Sequence, residues 1–542
     1  MIYAVLFLVL VLVTPGTGED YFTHWFDDQY AEILDNPKPL EVSGTVPSYI
    51  TGRLIRVGPT QVRTENKNYT NFLDGFGRVS SWRIDGANNK VDFLSAFIRS
   101  SLFNASKPTD EGEGGVASDI ARHITQQPTA PKTRTGLFEL GWMDNTDVNV
   151  YRFGKEESFL AFTDFAEANL LHLNSLRTLG KPETTGAPDD TFFSGSHPWE
   201  WVDPSSGETK LVNWLGKKSV GGSVLYVYTM GVDGVKTVVG STKLDFQPYS
   251  IHSLAVAGDF VVVTIGPVGL DFLKAGATLC LSCSADDKMD KSPMLIKVFA
   301  LTGEGLGEDK GPVANVEMDD ALFVFHHTNA MINDSGTQIH LDYCAYSSTD
   351  GWLGEYVLGD VADMMNPDTR NSMPQQCDKF TRVTVDVSTE EVVERLDLPL
   401  RDAAGNTYTT ELHAVNPILS GKEYCWVYAL SYHVKGSPKL EDMGIIKIDA
   451  CGARQAAKSG DESAVTVADM YHVAGVYVGE PIFVPNPTGT SEDDGTLLVV
   501  SREMDVTRLL MIDARTMDAV AKVTAPFPLM FEFHGQFFAG LD

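Results

Sequence analysis

Four histidines share one kind of setting. They are His197 in "SGSHPWEW", His252 in "YSIHSLAV", His326 in "FVFHHTNA" and His534 in "FEFHGQFF". Each sits at or near the end of an apolar or small-residue run. A neutral imidazole can offer one ring nitrogen to a metal while the other donates a hydrogen bond. Imidazole suits iron, copper and zinc alike, so ligand type alone does not choose between them. Taken singly, each of the four reads as a core histidine with a backbone partner. They lie too far apart to be local ligand pairs, so they form a metal site only if the fold makes distant strand ends converge. The remaining histidines look ordinary. His24, His123 and His433 lie in polar or terminal contexts, and His172, His340, His413 and His472 have the look of satisfied core or surface residues. H-E-x-x-H, G-x-S-x-G and P-loop patterns are absent.

The elements that must position these residues are strands. Runs such as "KVDFLSAFI", "DVNVYRF", "SFLAFTDF", "SVLYVYTM", "DFVVVTI", "IHLDYCAY", "GIIKIDA" and "GTLLVVS" are rich in Val, Ile, Phe and Tyr, with Gly, Asp, Asn or Pro clusters between them. Strand-turn-strand texture persists from about residue 40 to 540, with no linker that divides it. Residues 117–127, "ASDIARHITQQ", form the best helical candidate, with Ser118 or Asp119 as N-cap. Residues 303–311 read as an acidic surface loop. One large closed sheet assembly such as a propeller accounts best for this pattern. Its innermost strands can point side chains at a common axis.

The chain has 542 residues, 43% hydrophobic, enough for a large core. Its net charge of -31 argues against nucleic acid and against broad docking on anionic lipid. Residues 1–18 read as a secretory signal peptide: Ala4 to Val13 are apolar, and small residues precede the acidic start after Gly18. The expected domain organisation is therefore 1–18 as signal and 19–542 as a single domain in the secretory lumen or outside the cell. The six cysteines, Cys280, Cys283, Cys344, Cys377, Cys425 and Cys451, are even in number but sparse. The fold therefore does not depend on a disulfide framework. The "CLSC" at 280–283 reads as a local disulfide or plain loop residues. Sequons at Asn68, Asn104 and Asn333 are compatible with a secreted glycoprotein.

Several segments, in order, resemble the carotenoid cleavage oxygenase family, which includes animal carotene oxygenases and the retinoid isomerohydrolase. They are "GRLIRVGP" (52–59), "FLDGFGRVSSWRI" (72–84), "DNTDVNVY" (144–151), "HP" at 197, "IHS" at 251, "FHHTNA" at 325, "EPIFVPNP" at 480 and "FHG" at 533. Together they span nearly all of the chain beyond the leader. The resemblance implies an all-β, seven-bladed β-propeller with a cap of loops and short helices over an axial iron(II). His197, His252, His326 and His534 are the implied ligands. Of the double histidine, His326 matches the ligand, and His327 is expected to face elsewhere because successive strand residues alternate. Glu167, Glu411 and Glu480 match three glutamates that accept hydrogen bonds from the ligands' far ring nitrogens.

The implied reaction uses O₂ as co-substrate and cleaves one C=C bond of a carotenoid, apocarotenoid or other conjugated alkene to two carbonyl products. An apolar polyene is the expected partner, with peripheral membrane or lipid-carrier contact for its delivery. Two departures stand out. Trp199 replaces the second histidine of the family's His-Pro-His, and Ala168 follows Glu167 where the family often has threonine. A leader peptide on such an enzyme favours a smaller or carrier-bound substrate. Two alternatives are a retinoid ester isomerohydrolase with the same iron site, and a catalytically silent propeller that binds a pigment.

Overall fold

The computed structural model describes residues 31–60, 75–106, 144–154, 157–248, 251–270, 285–287, 292–304, 306–347, 365–368, 379–432, 434–436 and 443–540. The leader, the helical candidate 117–127, "CLSC", Asn68 and part of 72–84 lie outside these residues. The described residues include two α-helices, Ser101–Ser106 and Ala450–Ser459.

Seven antiparallel sheets form the blades of a propeller. We number them along the chain, with blade 1 carrying Thr51–Thr60. The innermost strands of blades 2 to 6 are Asn149–Arg152, Thr191–Ser194 continued by Trp199–Val202, Ala255–Ala257, Phe323–Ile332 and Glu411–Ala414. Blade 7 presents Ile482–Pro485, and blade 1 presents His534–Ala539.

The core lies between neighbouring blades. Phe193, Val212 and Trp214 of blade 3 pack on Ile251, Val261 and Phe299 of blade 4. Val262 and Ile296 of blade 4 meet Ala330, Leu341 and Tyr343 of blade 5. The strands are buried on both faces, which explains why the apolar runs are near-continuous rather than cleanly alternating.

Two exchanges close the ring. The C-terminal strand His534–Ala539 pairs with Thr51–Thr60 in the register Val57↔His534. The N-terminal strand Val42–Gly44 pairs with Ala519–Thr524 on the far edge of blade 7. Blades 1 and 7 are thus each built from both chain ends, which leaves the last ligand candidate, His534, held by the N-terminal strand that carries "GRLIRVGP". Gly535 is forced by that approach, since a Cβ there would lie 2.1 Å from the Ile55 carbonyl oxygen.

Bulges interrupt two innermost strands where the site residues stand. In blade 5, Val324 pairs with Ala345 and His327 with Tyr343, so Phe325 and His326 together oppose Cys344 alone. In blade 6, Leu412 and His413 together oppose Ala429, and Leu412 adopts a left-handed φ of 51°. An extra residue in one strand re-aims side chains that simple alternation would send elsewhere.

Candidate metal centre

The innermost strands bring His197, His252, His326 and His534 together, with one candidate ligand atom from each within 4.8 Å of the others. Ring centroids are 4.2 Å apart for His197 and His534 and 5.0 Å for His326 and His534. The Nε2 atoms of His197, His252 and His326 are buried and have no hydrogen-bond partner. His534 engages its neighbour through Nδ1, which leaves its Nε2 for the same centre. Three orphaned buried imidazole nitrogens facing one point are costly unless something accepts their lone pairs. A divalent cation fits this donor set.

The far nitrogens are engaged one by one. His326 Nδ1 lies 2.6 Å from Glu411 Oε2, and His534 Nδ1 lies 2.9 Å from Glu480 Oε1. In each pair the ring N–H donates to the carboxylate, which fixes the tautomer and makes Nε2 the more basic ligand. Glu411 also accepts from the Tyr346 hydroxyl at 2.9 Å and from the Leu412 backbone N–H at 2.7 Å, the latter set up by the bulge. Glu480 accepts from Arg56 Nη1 at 2.6 Å and from the Gly535 N–H at 3.2 Å.

Glu167 is a correction. Its carboxylate pairs with Lys181 at 2.6 Å near the surface. The carboxylate against His252 belongs to Asp164, whose two oxygens both lie 3.0 Å from Nδ1, with Ser196 Oγ at 3.1 Å. The physical reason is position along the blade. Asp164 follows the strand Ser158–Phe162, and its carbonyl accepts from Ser194 N–H on blade 3, beside the axis. Glu167 comes three residues later and leads into the outgoing strand Ala168–His172. Sequence reasoning missed Asp164, although its place at the end of an apolar strand is the same signal that marked the histidines.

His197 has no carboxylate. Its Nδ1 lies 3.0 Å from the side-chain amide of Asn149, which also reaches the Tyr151 hydroxyl at 3.3 Å. The amide nitrogen Nδ2 is the atom that faces the ring, and Asn149 Oδ1 accepts from the Val150 backbone N–H at 2.8 Å, which locks the amide in place beside His197. Asn149 too was missed by sequence reading. His327, as expected, faces away from the centre: Nδ1 meets Ser253 Oγ at 2.7 Å and Nε2 meets Thr264 Oγ1 at 3.2 Å, both on blade 4. Trp199 packs sideways into the apolar layers of blades 3 to 5.

At His197, His252 and His534 burial favours the neutral ring, and the carboxylates behind the ligands are held ionised. Burial pushes His197 well below the usual imidazole range, and the other three histidines add to it. His534 is lowered to about 4, by burial first, against the opposing pull of Glu480. Burial alone would raise Glu411, but the His326 contact outweighs it and holds the carboxyl at about 2. Asp164 and Glu480 are lowered in the same way, with His252 and His534 outweighing burial. Imidazoles that stay neutral beside ionised acceptors are in the protonation state that metal ligation needs.

Comparison with known proteins agrees with this geometry. The family model described as retinal pigment epithelial membrane protein matches residues 28–539. Apocarotenoid-15,15'-oxygenase of Synechocystis is 26% identical over 91% of this chain and 92% of its own length. Human beta,beta-carotene 15,15'-dioxygenase is 23% identical over 93% of each. The solved structure of cobalt-substituted Synechocystis apocarotenoid oxygenase superposes with a TM-score of 0.74 at 21% identity, covering 96% of this chain and 98% of that one. A propeller with these ligand candidates, matched from end to end, belongs to the retinal pigment epithelial membrane protein family of carotenoid oxygenases.

Proposed function

We propose that this chain is an iron(II) dioxygenase of the secretory lumen or extracellular space. It cleaves one C=C bond of a carotenoid, apocarotenoid or related conjugated alkene. The observation that carries the reading is the ring of four converging histidines with their far nitrogens engaged and the Nε2 atoms of His197, His252 and His326 buried without a partner. Iron held there would supply O₂ activation, and an alkene plus O₂ gives two carbonyl products with no external reductant. The protein's share is to orient the rings through Asp164, Glu411, Glu480 and Asn149, and to keep the surroundings apolar. Phe325 stacks on His252 at a centroid distance of 4.0 Å and helps exclude water from that side.

Location is supported by the leader-like residues 1–18 and by the thiols. Cys425 and Cys451 form a disulfide, Cys344 is also disulfide-bonded, and no described cysteine is free. Disulfides of this kind persist in oxidising compartments. No helix among the described residues is long and apolar enough to cross a membrane. An apolar polyene is poorly soluble in water, so it would arrive from a membrane surface or a lipid carrier.

The test is a turnover with ¹⁸O₂ after anaerobic loading with iron(II), using a panel of apocarotenoids and retinoids. One labelled oxygen in each of two carbonyl products supports dioxygenase cleavage. Product without O₂ consumption would replace it with the isomerohydrolase reading. Pigment binding without turnover of any panel member would favour the silent propeller.

A further inference from the structure

Arg56 is a guanidinium with 1% of its surface exposed, deep in the strand Thr51–Thr60. Its Nη1 donates to Glu480 Oε2 at 2.6 Å, and its Nη2 donates to the carbonyl oxygens of Glu532 and Phe533 at 2.9 and 3.1 Å. It therefore grips both the carboxylate behind His534 and the backbone that leads into His534. Among the described residues, the other two ring-binding carboxylates have no such cation. Glu411 takes its remaining hydrogen bonds from Tyr346 and Leu412, and Asp164 has Ser196 beside it. All of these partners are neutral.

We infer that Arg56 sets the charge of the shell around the four histidines and thereby holds the bound metal in its divalent state. Three ionised carboxylates hydrogen-bond the ligand rings, and one guanidinium binds one of those carboxylates, so the shell sums to -2. A divalent ion makes the centre neutral. A trivalent ion leaves a net positive charge in a poorly solvated interior, where an uncompensated charge is expensive. Without Arg56 the shell would carry -3 and would favour the trivalent ion instead. The inference rests on the metal reading above and goes beyond it, since four imidazoles alone do not choose a valence.

The experiment is a potentiometric titration of the iron-loaded protein under argon, poised with quinone-type mediators that take one electron from iron(II). The ferric signal is read by electron paramagnetic resonance. Arg56→Met should shift the ferric-to-ferrous ratio at a fixed potential about tenfold toward ferric, equivalent to ~59 mV for a one-electron couple. Arg56→Lys, which keeps the charge and loses the fork, should stay near the unmodified protein. The double variant Arg56→Met/Glu480→Gln restores the shell to -2 and should return toward it as well. If Arg56→Met does not hold iron, Glu411→Gln carries the test, because it removes a negative charge with Arg56 in place and should shift the ratio toward ferrous. An Arg56→Met potential equal to that of the unmodified protein, or a Glu411→Gln potential that does not rise, overturns the inference. A purely structural Arg56 would make the double variant worse than either single one, which also overturns it. Failure of the unmodified protein to bind any metal would instead sink the metal reading itself.

Discussion

The four ligand candidates differ in what stands behind them. His326 is backed by Glu411, whose side chain is 2% exposed, and His534 by Glu480 at 14%. His252 has Asp164 at 36%, and His197 has only the Asn149 amide. A carboxylate in a dry setting polarises an N–H far more than one that water can reach, and more than a neutral amide does. The ring is therefore graded, tightest at His326 and loosest at His197. The grading follows construction: the tight side is set by a strand bulge and by the closure of the two chain ends, the loose side by single side chains of blade 2 that reach histidines of blades 3 and 4.

Substitution of His326 by Ala should have the largest effect and abolish metal retention, as metal analysis of the purified variant would show. Glu411→Gln comes next, with roughly 10–100-fold weaker metal binding by competitive chelation. Asp164→Asn should fall toward the low end of that range, because its carboxylate is already partly solvated. Asn149→Ala should cost still less, below about tenfold. Equal losses across Glu411, Asp164 and Asn149 would erase the gradient. Smallest of all is Glu167→Gln, which should leave metal binding unchanged because its carboxylate serves Lys181. A loss there comparable to that of Asp164→Asn would break the assignment at His252.

The metal-free protein has a pH signature with a fixed sign. His534 sits at about 4 when folded and near 6.5 when unfolded, so the unfolded chain takes up protons first as pH falls. Stability is therefore complete above about 6.5 and is lost toward about 4. Glu411, held at about 2 from an ordinary 4.5, extends the loss to lower pH. Urea midpoints of the apo form measured from neutral pH downward should fall through this window. A flat profile would contradict the buried neutral ring.

Much of this was legible in the sequence because strands announce themselves. The apolar runs and their turn residues gave the all-β class, and motif order along the chain supplied the propeller and the four histidines. The split between His326 and His327 followed from strand alternation, although the structure achieves it through a bulge that no periodicity rule would place. Long-range pairing was harder to read. Nothing local to Asn149 or Asp164 says that each lies beside a histidine of the next blades. Glu167 drew the assignment because it matched a short pattern three residues too late. Arg56 was visible only as a letter in "GRLIRVGP". Its contact with Glu480 depends on the C-terminal strand returning to blade 1, which is a property of the closed ring.

The central claim is that four histidines from distant strands hold one iron. Plasma mass spectrometry of protein purified without added metal, beside His326→Ala, tests it most directly. The account predicts close to one iron per chain, lost in the variant. An unmodified protein that takes up no metal even after anaerobic iron(II) loading, or a variant that keeps its iron, would contradict it.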